Sequence, residues 1–372
     1  MASGRNDIGS ARIRVLGVGG GGSNAVARMM RQRPDGAVFK CMNTDKQALA
    51  SLPQHMRLIL GRESLGRMGA GGDPVMGRLA AEESAGEIRS VCTDADMIFV
   101  TAGMGGGTGT GAAPVVARIA KECGALVIGV VTTPFFFEGS AKSRLAGAGI
   151  ADMESCVDSL VVVPNDRLLS MNGQNLALNK AFRLADGTLR QAVLAMADVV
   201  SCRGEINVDL ADVRSVLKAG GRCFFALGQD RHSSAVQAAR GALASPLLDT
   251  DISLARKALL VVSGSRRLKL GDVQAASEVV QQSLHPDAHI IFGITTDQSL
   301  KDEIRVTLVA SAQPSEAVCR AEKPDAVIAN EKMVENIEES FLITGSWGKI
   351  QKRMKKAERP PANSACNNQA RC

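Results

Sequence analysis

Thr101-Ala-Gly-Met-Gly-Gly-Gly-Thr-Gly-Thr-Gly-Ala-Ala-Pro114 is the stretch whose reading decides the fold. An apolar run, Met97-Ile-Phe-Val100, leads into it. A helix-compatible run, Pro114-Val-Val-Ala-Arg-Ile-Ala120, leads out. The order is therefore strand, glycine-rich turn, helix. Glycines let the backbone come close to a bulky anion and turn its N–H groups inward. The following helix adds its positive N-terminal end, and Thr108 and Thr110 add hydroxyl donors. Chemically this is a place for phosphates. It is not the lysine-bearing P-loop, GxxxxGK[ST], so backbone, hydroxyls and a metal are left to neutralise the charge. A loop built only for flexibility is usually flanked by polar residues and not wedged between an apolar strand and a helix.

The chain of 372 residues is long enough for two domains of ordinary size. It is 45% apolar and 22% charged, as in soluble globular proteins. A formal net charge of +6, partly local to the tail, does not argue for nucleic acid, and 3% aromatics weakens base stacking further. Nine cysteines, an odd number without a CxxC pair, suggest neither a disulfide framework nor a zinc site. They read as reduced cysteines of a cytoplasmic protein. Met1 to Arg12 are polar and lack the apolar core of a signal peptide. No apolar run reaches the ~18 residues of a membrane span.

A second glycine-rich stretch lies upstream. Arg12-Ile-Arg-Val-Leu-Gly17 reads as a strand, Gly17 to Asn24 as a loop, and Ala25 to Met30 as a helix. Gly17, Gly19 and Gly22 fit GxGxxG, with Asp45 some twenty residues on, so a dinucleotide-binding oxidoreductase using NAD is one alternative. Two phosphate-type loops argue instead for a nucleotide cradled from both sides. Gly103 to Pro114 resembles the signature loop of the tubulin family in the form found in FtsZ proteins, and Gly17 to Val26 resembles the stretch with which that pattern begins.

The resemblance runs from about Arg12 to Ala312. It implies an α/β fold: a tubulin-like, Rossmann-type GTPase domain with a mostly parallel sheet, a long central helix, and a smaller α+β C-terminal domain. The expected divisions are a disordered N-terminus at 1–11, a GTP-binding domain at 12–175 and the central helix at 176–203. A co-catalytic loop and helix follow at 204–221, then an activation domain at 222–312 and a disordered tail at 313–372. The further strands expected are 38–42, 57–60, 125–131, 159–163, 223–227, 258–262, 289–294 and 303–309. Helices are expected at 75–89, 233–244 and 270–284.

The resemblance also implies site residues. GTP would meet Gly19, Gly20, Gly21, Gly22, Ser23 and Asn24 in the first loop, and Gly69, Ala70, Gly71 and Gly72 in a loop sensing the γ-phosphate. Gly103, Gly105, Gly106, Gly107, Thr108, Gly109, Thr110 and Gly111 form the second cradle. Asn43 and Asp45 end a strand and point to the ligand crevice, or else cap a helix at Lys46 to Ala50; both can hold. In Thr132-Thr-Pro-Phe-Phe-Phe-Glu-Gly139, Pro134 would line the GTP site and Glu138 would serve the ribose, as would Asn165 from Pro164-Asn-Asp-Arg167. Lys142 stands where the family usually has Arg, keeping the charge but losing the bidentate fork.

Phe182 and Asp186 are four apart and share a helix face. They are either core and solvated charge, or a ring to stack on a base and a carboxylate to accept from guanine N1–H and N2–H₂. The resemblance favours guanine. Asn207, Asp209 and Asp212 precede a helix and suit either capping or water activation. In the family such a loop acts on the nucleotide of the next subunit, with Mg²⁺ held mainly by phosphates and water. Glu205 replaces an apolar residue there.

The expected protein is thus an assembly-dependent GTPase turning GTP to GDP. It would form head-to-tail homopolymers in the cytoplasm, in the division ring at midcell. A specialised paralogue that hydrolyses weakly and co-polymerises with another FtsZ is the alternative. The usual tether-binding tail peptide is absent. In its place Trp347-Gly-Lys-Ile-Gln-Lys-Arg-Met-Lys-Lys356, within the basic segment 347–359, is either a solvated tail or a membrane-surface helix.

Overall fold

The computed structural model describes residues 11–30, 37–65, 69–172, 178–201, 205–206, 208–218, 223–231, 234–245, 252–297 and 300–311. The expectations for the N-terminus, for Gly66 to Met68, for Asn207 and for the tail from 313, including 347–359, lie outside these residues. Among the described residues, no helix is long and apolar enough to cross a membrane.

The first half builds a six-stranded sheet from β1 (Ile13–Val18), β2 (Val38–Asn43), β3 (Arg57–Ile59), β4 (Met97–Gly103), β5 (Leu126–Thr133) and β6 (Ser159–Pro164). Their order is β3-β2-β1-β4-β5-β6, and every pairing is parallel. Parallel strands covered on both faces read as continuous apolar runs, and β4 and β5 are buried along nearly their whole length. Helices α1 (Gly19–Met29), α2 (Pro74–Glu83), α3 (Ala85–Cys92), α4 (Gly107–Glu122) and α5 (Ser140–Cys156) lie between strands, and α6 (Asn165–Asn172) follows β6.

α7 (Leu178–Ser201) is the long central helix. Ala192, Val193 and Met196 on it share one core with Ile128 and Val130 of the first sheet. Phe225, Leu259 and Val309 of the second sheet belong to the same core. After α8 (Leu210–Leu217), the second sheet comprises β7 (Cys223–Asp230), β8 (Lys257–Gly264), β9 (His289–Thr296) and β10 (Ile304–Ser311). Its order is β7-β10-β8-β9, with β10 antiparallel to both neighbours and β8 parallel to β9. α9 (Ala235–Leu243) and α10 (Leu270–Gln281) join Phe224, Leu260 and Leu308 in its separate core.

The expected fold class is the one observed. Local corrections have physical reasons. The single helix expected over 75–89 is broken at Ser84, whose hydroxyl accepts the Gly61 amide while the Glu83 carboxylate accepts the amides of Glu63 and Ser64. The chain bends there to satisfy a loop. Lys46 to Ala50 form turns and no helix. α4 begins at Gly107, so Pro114 lies inside it and not at its start. α5 and α6 were not legible, because neither presents a strong apolar stripe.

Candidate functional site

In an open parallel sheet, ligands bind beyond the carboxyl ends of the strands, where the strand order reverses. Here that point lies between β1 and β4, which pair as Val18 with Ala102. The two glycine loops issue from the ends of these two strands.

They touch backbone to backbone. A Cβ on Gly22 would lie 2.2 Å from the Thr101 carbonyl oxygen. One on Gly19, which has φ +72, would lie 2.7 Å from the Gly109 amide nitrogen. One on Gly109 would lie 2.4 Å from the Gly103 carbonyl oxygen, and one on Gly107 would lie 2.8 Å from the Asp73 amide. By contrast, Gly20, Gly71, Gly72 and Gly106 face open space. Some glycines therefore bring the three loops together, and others line the crevice between them.

Neither α1 nor α4 has a side-chain cap at its N-terminus. Two sets of unpaired amides with two positive helix ends thus open at one crevice, the electrostatics an anion requires. α2 differs, since Asp73 caps it by accepting the Val75 amide at 2.8 Å. Hydroxyls tie the loops: Thr44 and Thr108 share a bond of 2.7 Å, Thr44 accepts the Ala70 amide at 3.1 Å, and Thr110 accepts the Gly105 amide at 2.8 Å. Asn43 and Asp45 form successive turns, each accepting the amide two residues on. Ser23 is buried, and its carbonyl accepts the Cys41 thiol. Asn24 is exposed in the first turns of α1.

An aromatic corner closes one side. Phe135 stacks on Phe137 with centroids 5.1 Å apart and meets Phe182 edge-on at 5.3 Å. Pro134 is buried beside Gly105. Glu138 accepts the Phe135 amide and Lys142 Nζ, each at 3.0 Å. Lys142 therefore pairs with Glu138 and forms part of this corner. Asn165 is buried with its Oδ1 unpartnered, an atom that asks for a donor. Asp186 pairs with Arg28 at 2.9 Å. Burial pushes its carboxyl above the usual range, and the guanidinium acts in the opposite direction.

Sequence reasoning missed Arg28 and Thr44. Arg28 lies four residues after Asn24 and so shares its helix face, which was the available signal. Nothing local marked Thr44.

Asp209 and Asp212 are not brought to this crevice. Asp186 is the ninth residue of α7, and the stretch from it to Ser201 rises about 22 Å, with these acids beyond that end. Asp209 is the N-cap of α8 and forms a capping box with Asp212. Both capping and a role elsewhere remain compatible with this placement.

Among the described residues, no group of three or more His, Cys, Asp or Glu could hold a metal ion.

Two family models match the chain: the GTPase domain of the Tubulin/FtsZ family over residues 12–173, and the C-terminal domain of the FtsZ family over residues 221–313. A solved FtsZ dimer from M. jannaschii, described as empty, is 40% identical, covers 83% of this chain and 90% of its own, and superposes with a TM-score of 0.78. GDP-bound monomeric CetZ1 from Haloferax volcanii, 21% identical with a TM-score of 0.71, shares the fold over 82% of this chain and 96% of its own. CetZ2 from the same organism, solved as a GTPγS-bound protofilament, is 22% identical with a TM-score of 0.71 over 88% and 99%. The dinucleotide reading falls with these matches, and the chain belongs to the tubulin/FtsZ family of GTPases.

Proposed function

We propose that the crevice between β1 and β4 holds GTP and that a second copy, docking head to tail, completes the site for hydrolysis. The observation that carries this is the separation just described: an anion cradle at one end of α7 and a carboxylate pair beyond the other. A single subunit cannot bring the two together across the rigid stretch of about 22 Å from Asp186 to the end of α7.

In this reading the open glycines and free amides of α1 and α4 bind the phosphates. Glu138 and Asn165 hold the ribose, Phe182 stacks on the base, and Asp186 reads its edge. Asp209 and Asp212 of the next copy orient a water. That water attacks the γ-phosphorus, the bond to the β-phosphate oxygen breaks, and GDP and phosphate leave. Mg²⁺ supplies charge neutralisation on the phosphates when bound, held mainly by them and by water.

Exposed apolar residues support docking. Phe136 is 87% exposed beside the crevice, and Leu270 is 79% exposed in a groove that also includes Glu205 and Ile294. The M. jannaschii FtsZ and the CetZ2 named above were themselves solved as a dimer and a protofilament. We read the filament as cytoplasmic and as acting in cell division at midcell, a reading that the likeness to FtsZ supports. The weakly hydrolysing paralogue is favoured by the exposed Glu205, which adds charge beside Ile206, and by Lys142 in place of the usual Arg. GTP turnover per subunit, measured with Mg²⁺ across protein concentrations alongside sedimentation, tests the proposal. A rate that switches on at a threshold together with pelleting is expected. A rate per subunit independent of concentration overturns the shared site, and GTP binding with no turnover favours the paralogue.

A further inference from the structure

Arg28 and Asp186 meet across the packing of α1 on α7, with Arg28 Nη1 2.9 Å from Asp186 Oδ2. The carboxylate is the enclosed partner, its side chain 14% exposed against 41% for the arginine. Arg28 pulls the Asp186 carboxyl toward its ionised form, against the push of burial. Arg183 and Arg190 lie three and four residues from it on the same helix, and Glu138 and Lys142 at the aromatic corner bind each other.

We propose that Arg28 makes this site choose guanine over adenine, by holding Asp186 in its acceptor-only form against the edge of the base. The proposal rests on the reading of Asp186 as the base-facing carboxylate.

The chemistry is a matter of donors and acceptors. An ionised carboxylate only accepts, whereas a protonated one offers one O–H donor and one carbonyl acceptor. Guanine presents two donors, N1–H and N2–H₂, and matches the ionised form. Adenine presents an acceptor at N1 and a donor at N6 and matches the protonated form. The same side chain therefore reads either base according to its proton. Enclosure favours the neutral form, as the upward push on Asp186 shows. A guanidinium stays charged at all working pH and opposes that push. A carboxylate has about four lone-pair sites, so the bond to Arg28 at Oδ2 leaves others free for the base.

The test is competition against a fluorescent GTP analogue by GTP, ATP and xanthosine triphosphate, using the full chain between about pH 8 and about pH 5.5. The wild type should keep its GTP-over-ATP ratio across this range. In Arg28→Ala the ratio should fall with falling pH, by up to roughly tenfold per unit below the new Asp186 pKa. Arg28→Lys keeps the charge and should restore most of the ratio. If Arg28→Ala does not fold, Arg28→Gln removes the charge at similar length. A ratio in the neutral variants that matches the wild type at every pH overturns the proposal.

Asp186→Asn separates this claim from the one beneath it. An amide complements xanthine, which presents a donor at N1 and an acceptor at O2. A shift toward xanthosine triphosphate supports the base-reading role, and an unchanged Arg28→Ala beside it sinks the Arg28 claim alone. An Asp186→Asn variant with unaltered preference sinks both.

Discussion

Asp209 and Asp212 close the first turn of α8 on one another: the Asp212 amide donates to Asp209 Oδ1 at 2.7 Å, and the Asp209 amide donates to Asp212 Oδ2 at 3.3 Å. The pair is thus a helix cap in the isolated chain, whatever else it does in an assembly. The two roles separate by substitution. Asp209→Ala removes the cap and should cost about 1 kcal/mol of stability in denaturant unfolding. Asp212→Asn leaves Asp209 to cap, so its unfolding midpoint should lie close to the wild type. Its GTP turnover should nevertheless collapse at concentrations where the chain sediments. Turnover that falls only in proportion to lost stability, across both variants, would reduce the pair to a cap.

The glycines divide into two classes with opposite expected behaviour. Gly22→Ala forces a methyl to within 2.2 Å of the Thr101 carbonyl, so the β1 and β4 loops must part. A cost of about 1–3 kcal/mol is expected, as in overpacked interiors, and it should appear with or without nucleotide. Gly106 has φ −98 and open space around it. Gly106→Ala should therefore unfold with the wild type while binding GTP more weakly, because the methyl enters the crevice. Calorimetric titration beside thermal unfolding distinguishes the two, and equal GTP affinity in Gly106→Ala would remove that glycine from the site.

Five cysteines fall among the described residues, all of them free thiols. Burial pushes Cys41 and Cys92 up to about 12 and Cys223 up to about 11. The thiolate is the reactive species. At about pH 8 these three thiols hold their protons, and burial also blocks their approach. Cys123 and Cys156 are half-buried at the ends of α4 and α5. Iodoacetamide followed by peptide mass analysis should label Cys123 and Cys156 in the folded chain. Cys41, Cys92 and Cys223 should label only after denaturant is added. Rapid labelling of any of those three in the native state would show that its core opens locally.

Much of the site was legible because its parts are local. The strand, glycine turn and helix at Met97 to Ala120 needed no partner to be recognised, since the apolar run, the glycines and the helix former follow one another along the chain. The same holds for Gly17 to Met30 and for the four-residue spacing of Phe182 and Asp186. Where neighbours distant in sequence decide, reading failed. The break at Ser84 answers amides of the loop at Gly61 to Ser64. Lys46 to Ala50 carry helix formers, yet the turns of Asn43 and Asp45 and the return toward β3 use that segment differently.

By itself the sequence determined that two glycine loops would each follow a strand and open a helix, and that a long helical stretch would separate this α/β part from a smaller α+β domain. These follow from backbone freedom and apolar spacing, which act over a few residues. Only the tertiary structure decided that the loops abut, glycine against glycine, because that depends on β1 pairing with β4 at the point where the strand order reverses. It also decided that Arg28 reaches Asp186. The packing of α1 on α7 sets that distance, and it is not written in any short stretch of chain.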